Sequence, residues 1–301
     1  MDAEEAVRTP TVSRVLDDRS AGPAVPRMVL GARLRRLREH QNISREVAGE
    51  AIRASQSKIS RLEWGRHGFK MRDVADLLTL YGVTDEAERA TLLALAEQSN
   101  TSGWWQPYND VVPAWMQAYL GAEQAASVIR CFEPQAVPDL LQTPDYARAA
   151  IRLTHPGADL EETDRRVTLR MKRRQTLHRQ RGPQLWAVID EAALRRPVGG
   201  AGTMRAQLRH LLEICQLPHV TVQIMSFLAG GHAAARGPVT IVRLPGGQLP
   251  DMVYLEQLAS ALYPDKPAEI EYYWDVMNRL VVAAESPDAT RTILQRILRE
   301  T

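Results

Sequence analysis

The chain lacks most of what marks a catalytic, metal-bound, secreted or membrane-embedded protein. Its 301 residues hold only two cysteines, Cys131 and Cys215, too few for a disulfide scaffold and too far apart for paired zinc ligands. The seven histidines form no HExxH run and no close pair, so no metal site is expected. No apolar run exceeds about six residues, against the ~20 that span a bilayer. Residues 1–26 mix charge with Pro and Ser and have no apolar centre, so no secretory leader is read there. Gly199–Gly202 precede a helical stretch but no Walker lysine follows, and the loop is expected to end in Thr203 as an N-cap. No GxSxG run offers a serine nucleophile. Asp190-Glu191 could do acid–base work. Neighbours on a strand face opposite ways, however, so a solvated turn pair is the better reading. The expectation is a cytoplasmic protein with no catalytic residues, no cofactor and no membrane contact.

What is present is an ordinary globular composition, 45% hydrophobic and 25% charged, in a chain long enough for two domains. The formal net charge is only +2, but it is unevenly laid out. Residues 27–72 carry 12 Lys/Arg against 4 Asp/Glu, a balance of +8. Residues 164–181 carry 8 against Asp164 alone, or +7, and the remainder is −13. Such asymmetry points to a polyanion partner for one or both basic blocks.

Residues 1–26, with Pro10, Pro23 and Pro26, read as a disordered arm. Residues 27–99 read as five short helices. Leu30, Leu34 and Leu37 repeat along one helical face. Asn42 or Ser44 can cap a second helix, and Ser55 caps a third that Gly65 terminates. Two more follow at about 72–81 and from Thr84 or Asp85. Turn residues crowd Ser99–Pro113, which marks a boundary. Residues 100–301 then mix helical stretches (114–129, 145–152, 160–180, 203–216, 268–285, 287–300) with β-like runs at Gln184–Ile189, Val220–Phe227, Pro238–Leu244 and Met252–Glu256. The expected fold is a mainly α N-terminal domain followed by an α+β domain with a small, largely antiparallel sheet.

The most specific stretch is Ile43-Ser-Arg-Glu-Val-Ala-Gly-Glu-Ala-Ile52 followed by Arg-Ala-Ser55-Gln-Ser-Lys-Ile-Ser-Arg-Leu-Glu-Trp-Gly65. It reads as two helices joined by a tight turn. Ile59 and Leu62 face the second helix back onto the first, leaving Gln56, Ser57, Lys58, Ser60 and Arg61 as a short, polar, basic face. Such a helix suits a major groove, where Gln pairs with adenine and Arg with guanine.

This pattern resembles the Cro/C1-type helix-turn-helix family, also called the xenobiotic-response-element family, over about residues 29–83. By position, the resemblance implies base reading by Gln56, Ser57 and Arg61, phosphate contacts from Arg45, Lys58, Arg66 and Lys70, and a structural role for Glu63. It also implies double-stranded DNA as the partner, a nucleoid-associated location and a homodimer on a pseudo-palindromic site. Two residues depart from the family pattern. Arg53 stands where many members have a turn glycine, and Gly49 where alanine is commoner, at about 1 kcal/mol of helix propensity.

The runs Gly103-Trp-Trp-Gln-Pro-Tyr108 and Phe132-Glu-Pro-Gln-Ala-Val-Pro-Asp-Leu-Leu-Gln-Thr-Pro-Asp-Tyr-Ala-Arg148 resemble the uncharacterised C-terminal domain of actinobacterial antitoxin-like regulators. Asp139 replaces a usual glycine there. The resemblance implies a transcriptional regulator modulated by dimerisation, a small-molecule effector or a small protein encoded by a neighbouring gene. The alternative is an antitoxin-like protein that sequesters that partner and autoregulates its operon. Trp104, Trp105, Tyr108, Trp115 and Tyr119 cluster in sequence. The first four form a candidate ligand pocket, and interdomain packing is the other reading. The basic stretch 164–181 is open between an extended DNA footprint, an acidic partner and a solvated face.

Overall fold

The computed structural model describes residues 22–180, 182–234, 236–246 and 249–301. They form two units, one reaching Gln106 and including Leu244–Pro250, the other comprising Pro107–Arg243 and Asp251–Thr301. The division falls inside the turn-rich Ser99–Pro113 stretch. Residues 1–21 of the expected arm lie outside the described residues, whereas Ala24, Val25 and Pro26 are the buried first turn of a helix.

Among the described residues the first unit holds five helices: α1 (Ala24–His40), α2 (Arg45–Ala51), α3 (Gln56–Glu63), α4 (Met71–Leu80) and α5 (Glu86–Ser99). Local chemistry sets their ends. Ser44 Oγ accepts from Val47 N, Ser55 Oγ from Lys58 N, and Asp85 from Ala87 N, each satisfying an otherwise orphaned helix N–H. Asn42 is therefore not a cap. It takes the left-handed conformation after α1, at φ 53°. Gly65 ends α3 at φ 64°, as the left-handed C′ position favours. The core gathers Leu30, Leu34, Ala48, Ile59, Leu62, Val74, Leu77, Leu78, Leu92 and Leu95.

The second unit contains α6 (Gln117–Ala125), β1 (Val128–Glu133), α7 (Pro144–Thr154), α8 (Leu160–Arg174), β2 (Gln184–Asp190), α9 (Glu191–Arg195), α10 (Gly200–Ile214), β3 (Val220–Met225), β4 (Val239–Arg243), β5 (Met252–Glu256), β6 (Ala261–Leu262), α11 (Pro267–Ala283) and α12 (Pro287–Glu300). The six strands form one sheet in the order β3-β2-β1-β4-β5-β6. It is mixed rather than largely antiparallel: β1–β2 and β2–β3 pair parallel, the remaining neighbours antiparallel. The parallel half exists because α7–α8 and α9–α10 intervene as crossovers, which parallel neighbours require. β1 lies inside the 114–129 stretch read as helix and the residues just after it; the helix there stops at Ala125. Phe132, Val188, Met225 and Val253 bury one sheet face against Val276, Met277 and Leu280 of α11. The outer edge of β3 is sealed at Ile224, whose carbonyl accepts from Glu285 N and whose N–H donates to Thr290 Oγ1, which blunts that edge for pairing.

Three local readings change. Thr203 is not a cap, because α10 begins at Gly200 behind a left-handed Gly199. Asp190 caps α9 by accepting from Ala192 N. Glu191 is buried and paired with Arg195, not solvated.

Most of the described arginines of the +7 block bond to acids or carbonyls of their own unit. Arg173, almost fully buried, donates through Nε and Nη2 to both oxygens of Glu123 and through Nη1 to Asp139. Arg170 pairs with Asp139 at 3.3 Å and donates to Gln142 Oε1. Arg165 pairs with Asp110 and Arg166 with Glu162. Arg174 and Arg179 donate to the carbonyls of Gln142 and Gln124. Asp139, the departure from the family's glycine, is thus the acid shared by two of these arginines.

Beside it, Glu133 ends β1. Burial, reinforced by the negative charges of Asp139 and Glu256, pushes its carboxyl up to about 8, against about 4.3 unfolded. The folded state therefore binds an extra proton between these values, and stability falls as pH rises from about 5 towards 8. Glu133→Gln is expected to flatten that slope in urea unfolding of the full chain from pH 5 to 8. An unchanged slope would show that Glu133 does not cause it.

Candidate nucleic-acid interface

Helix α3 has two unlike sides. Ile59 and Leu62 are buried, at 1% and 2% exposure, and pack with Ala48 and Ile52 of the preceding segment. Gln56, Ser57 and Arg61 are exposed and share a helical face, together with Ser60, by their i, i+1, i+4, i+5 spacing. The approach of α2 to the turn is close enough to explain Gly49. A Cβ there would meet the Ala54 carbonyl oxygen at 2.5 Å, so alanine would collide with backbone and glycine's lower helix propensity is offset by fit.

Behind α3 lies an ionic brace. Glu63 is 4% exposed and accepts from Arg38, whose Nη2 lies 3.1 Å from Oε2, and from Arg45 Nε at 3.1 Å. Burial would lower the Arg38 pKa. Hydrogen bonding to Glu63 and its charge outweigh that and raise it. Arg38 Nη1 also donates to the Ile43 carbonyl at 2.8 Å, tying α1 to the start of the α2–α3 pair.

The four cations matched to phosphate contacts are held differently. Arg45 spends Nε on Glu63 and keeps about a third of its side chain exposed. Lys58 pairs with Asp73 at 2.8 Å and is mostly covered. Arg66 stacks on Trp64, its guanidinium 5.6 Å from the ring centroid, with Arg35 at 5.2 Å from the same ring. This cation–π arrangement was missed by motif reading, although the Trp64-Gly65-Arg66 order hinted at it. Lys70 is exposed and immediately precedes α4.

Each candidate pocket residue has partners within its own unit. Trp104 and Trp105 pack edge to face at 6.0 Å in the first unit, with Trp105 buried. In the second unit, Arg165 and Lys172 lie over the Tyr108 ring, and the Trp115 carbonyl accepts from Tyr263 Oη. A cleft of about 420 Å³ in that unit is lined by Leu255, Leu262, Tyr272 and Tyr273. Among the described residues no group of His, Cys, Asp or Glu is placed to hold a metal ion, and no helix is long and apolar enough to cross a membrane.

Two families match the chain. One, described as a helix-turn-helix domain, matches residues 29–92, and one described as a domain of unknown function (DUF5753) matches residues 116–296. The chain belongs to the DUF5753 family. In this DUF5753 protein a helix-turn-helix DNA-binding domain precedes the mixed α+β unit. No curated protein and no solved structure matches the chain.

Proposed function

We propose that this DUF5753 protein is a sequence-specific transcriptional regulator that binds DNA as a homodimer. Its C-terminal domain modulates binding through dimerisation, a small ligand or a small partner protein. The observation that carries the reading is the two-sided α3, with Gln56, Ser57 and Arg61 exposed opposite a buried Ile59 and Leu62. Gln56, Ser57 and Arg61 read base edges, and Arg45, Lys58, Arg66 and Lys70 hold the phosphates. Arg45 and Lys58 do so from positions already braced by acids, which supports a fixed register.

The test is salt-titrated binding to the promoter DNA of its own operon, alongside an unrelated duplex. Gln56→Ala and Arg61→Ala are each expected to lose about 1–3 kcal/mol of specific affinity, roughly 5- to 150-fold. Affinity for the unrelated duplex should change far less. Unchanged discrimination in both variants would remove the base-reading assignment.

A further inference from the structure

Most cations of the helical unit are already spoken for. Arg33 pairs with Glu88, Arg35 with Glu39, Arg38 and Arg45 with Glu63, Lys58 with Asp73, and Arg72 with Asp76. Arg27 donates to the Ser99 carbonyl and Arg89 to that of Val83. Arg53, Arg61 and Lys70 are exposed and make no ion pair or side-chain hydrogen bond among the described residues. Two of these three already belong to the proposed interface. Arg53 does not.

Its backbone sets Arg53 further apart. Its φ is 55°, and the only other non-glycine residue with positive φ among the described residues is Asn42, a type that tolerates the left-handed region. Arg53 occupies the C′ position of α2. Its N–H donates to the Glu50 carbonyl and the next N–H, of Ala54, to that of Gly49. Glycine is the favoured residue at such a position, and arginine brings a Cβ that the conformation disfavours. Among the described residues no ion pair or side-chain hydrogen bond of Arg53 offsets that cost.

Position supplies the reason. Arg53 precedes Gln56 by three residues, so its Cα lies within about 10 Å of the first residue of α3. A major groove about 12 Å wide is walled by phosphates, and a helix entering it by its N-terminus brings the residues just before that end to the wall. We propose that Arg53 is a DNA-phosphate contact at the mouth of α3, kept as arginine in a left-handed turn for its charge. This rests on the DNA-binding reading above.

The experiment uses the full chain and a short duplex of arbitrary sequence, since a phosphate contact is independent of sequence. Binding is followed as a function of salt. In parallel, hydrogen exchange of residues 45–63 reports local stability. Arg53→Gly should make the log–log salt slope shallower by about 0.9, one phosphate's worth, while exchange in residues 45–63 slows severalfold. Arg53→Ala should lose the same slope without slower exchange, and Arg53→Lys should keep it. If the unsubstituted chain binds with steep salt dependence and Arg53→Gly binds with the same slope, the contact is overturned and DNA binding stands. Weakened binding by Arg53→Gly with faster exchange would also overturn it, because the turn itself would then be at fault. Failure of the unsubstituted chain to bind duplex DNA would bring down the DNA-binding reading, and this contact with it.

Discussion

Glu63→Ala is expected to remove about 3–5 kcal/mol of stability from the helix-turn-helix domain, enough to unfold much of it at physiological temperature. The carboxylate is buried and serves two arginines, Arg38 and Arg45. Deleting it leaves the Arg38 guanidinium, whose side chain is 8% exposed, charged and desolvated, with only the Ile43 carbonyl and the more distant, exposed Glu39 as partners. Breaking a buried pair by removing one partner has this magnitude, whereas an exposed pair such as Arg72–Asp76, 3.8 Å apart on the surface of α4, contributes about 0–1 kcal/mol. A small domain has roughly 5–15 kcal/mol in total. Urea unfolding of the full chain, followed by hydrogen exchange in α1–α3, checks the loss. The paired substitution Arg38→Leu with Glu63→Leu should recover much of it, because no charge is then left buried. If Glu63→Ala costs no more than Arg72→Ala, the brace is not structural. The DNA affinity of Glu63→Ala should fall as well, since Arg45 would lose the acid that fixes it beside α3.

The helical domain was largely legible because its signals are local. Ser44 and Ser55 lie three residues before the N–H groups they cap, Gly65 sits at the residue that turns left-handed, and the apolar positions recur within one or two turns. The exposed face of α3 could be read for the same reason. The larger misreadings involve distant partners, unlike the local ones at Asn42 and Thr203. β1 follows a helix with no glycine or proline between them, and it pairs with residues more than fifty positions away, Gln184–Ile189 on one side and Val239–Arg243 on the other. Nothing within Val128–Glu133 announces either neighbour. The role of the basic stretch 164–181 stays open in the sequence because its acids stand elsewhere in the chain: Asp110, Glu123 and Asp139 approach it only in the fold. In α1–α3 the excess of positive charge coincides with the helix-turn-helix match at residues 29–92. In α8 the same density of arginine pairs instead with acids and carbonyls of its own unit.

Removing the central cation of those pairs should be as costly as removing Glu63, with the opposite electrostatic signature. Arg173→Met leaves Glu123, 1% exposed as a side chain, and Asp139 without their shared guanidinium, and a loss of about 3–5 kcal/mol from the second unit is expected. The pH dependence identifies the cause. In the folded protein burial alone would raise the Asp139 carboxyl, but Arg170 and Arg173 hold it below its ordinary value. A depressed carboxylate contributes stability that is present above its unfolded value, about 3.9, and lost as pH falls through the folded one. Without Arg173 the burial effect on Asp139 keeps only Arg170 as a counterweight, and its affinity for protons in the folded state rises. The variant should then gain stability relative to the unsubstituted chain as pH is lowered from 7 towards 5, so that the difference between them narrows. Parallel urea titrations at pH 7, 6 and 5, followed by hydrogen exchange in β1 and α8, measure it. A gap that stays constant across this range would mean the loss comes from packing of the arginine stem rather than from its charge.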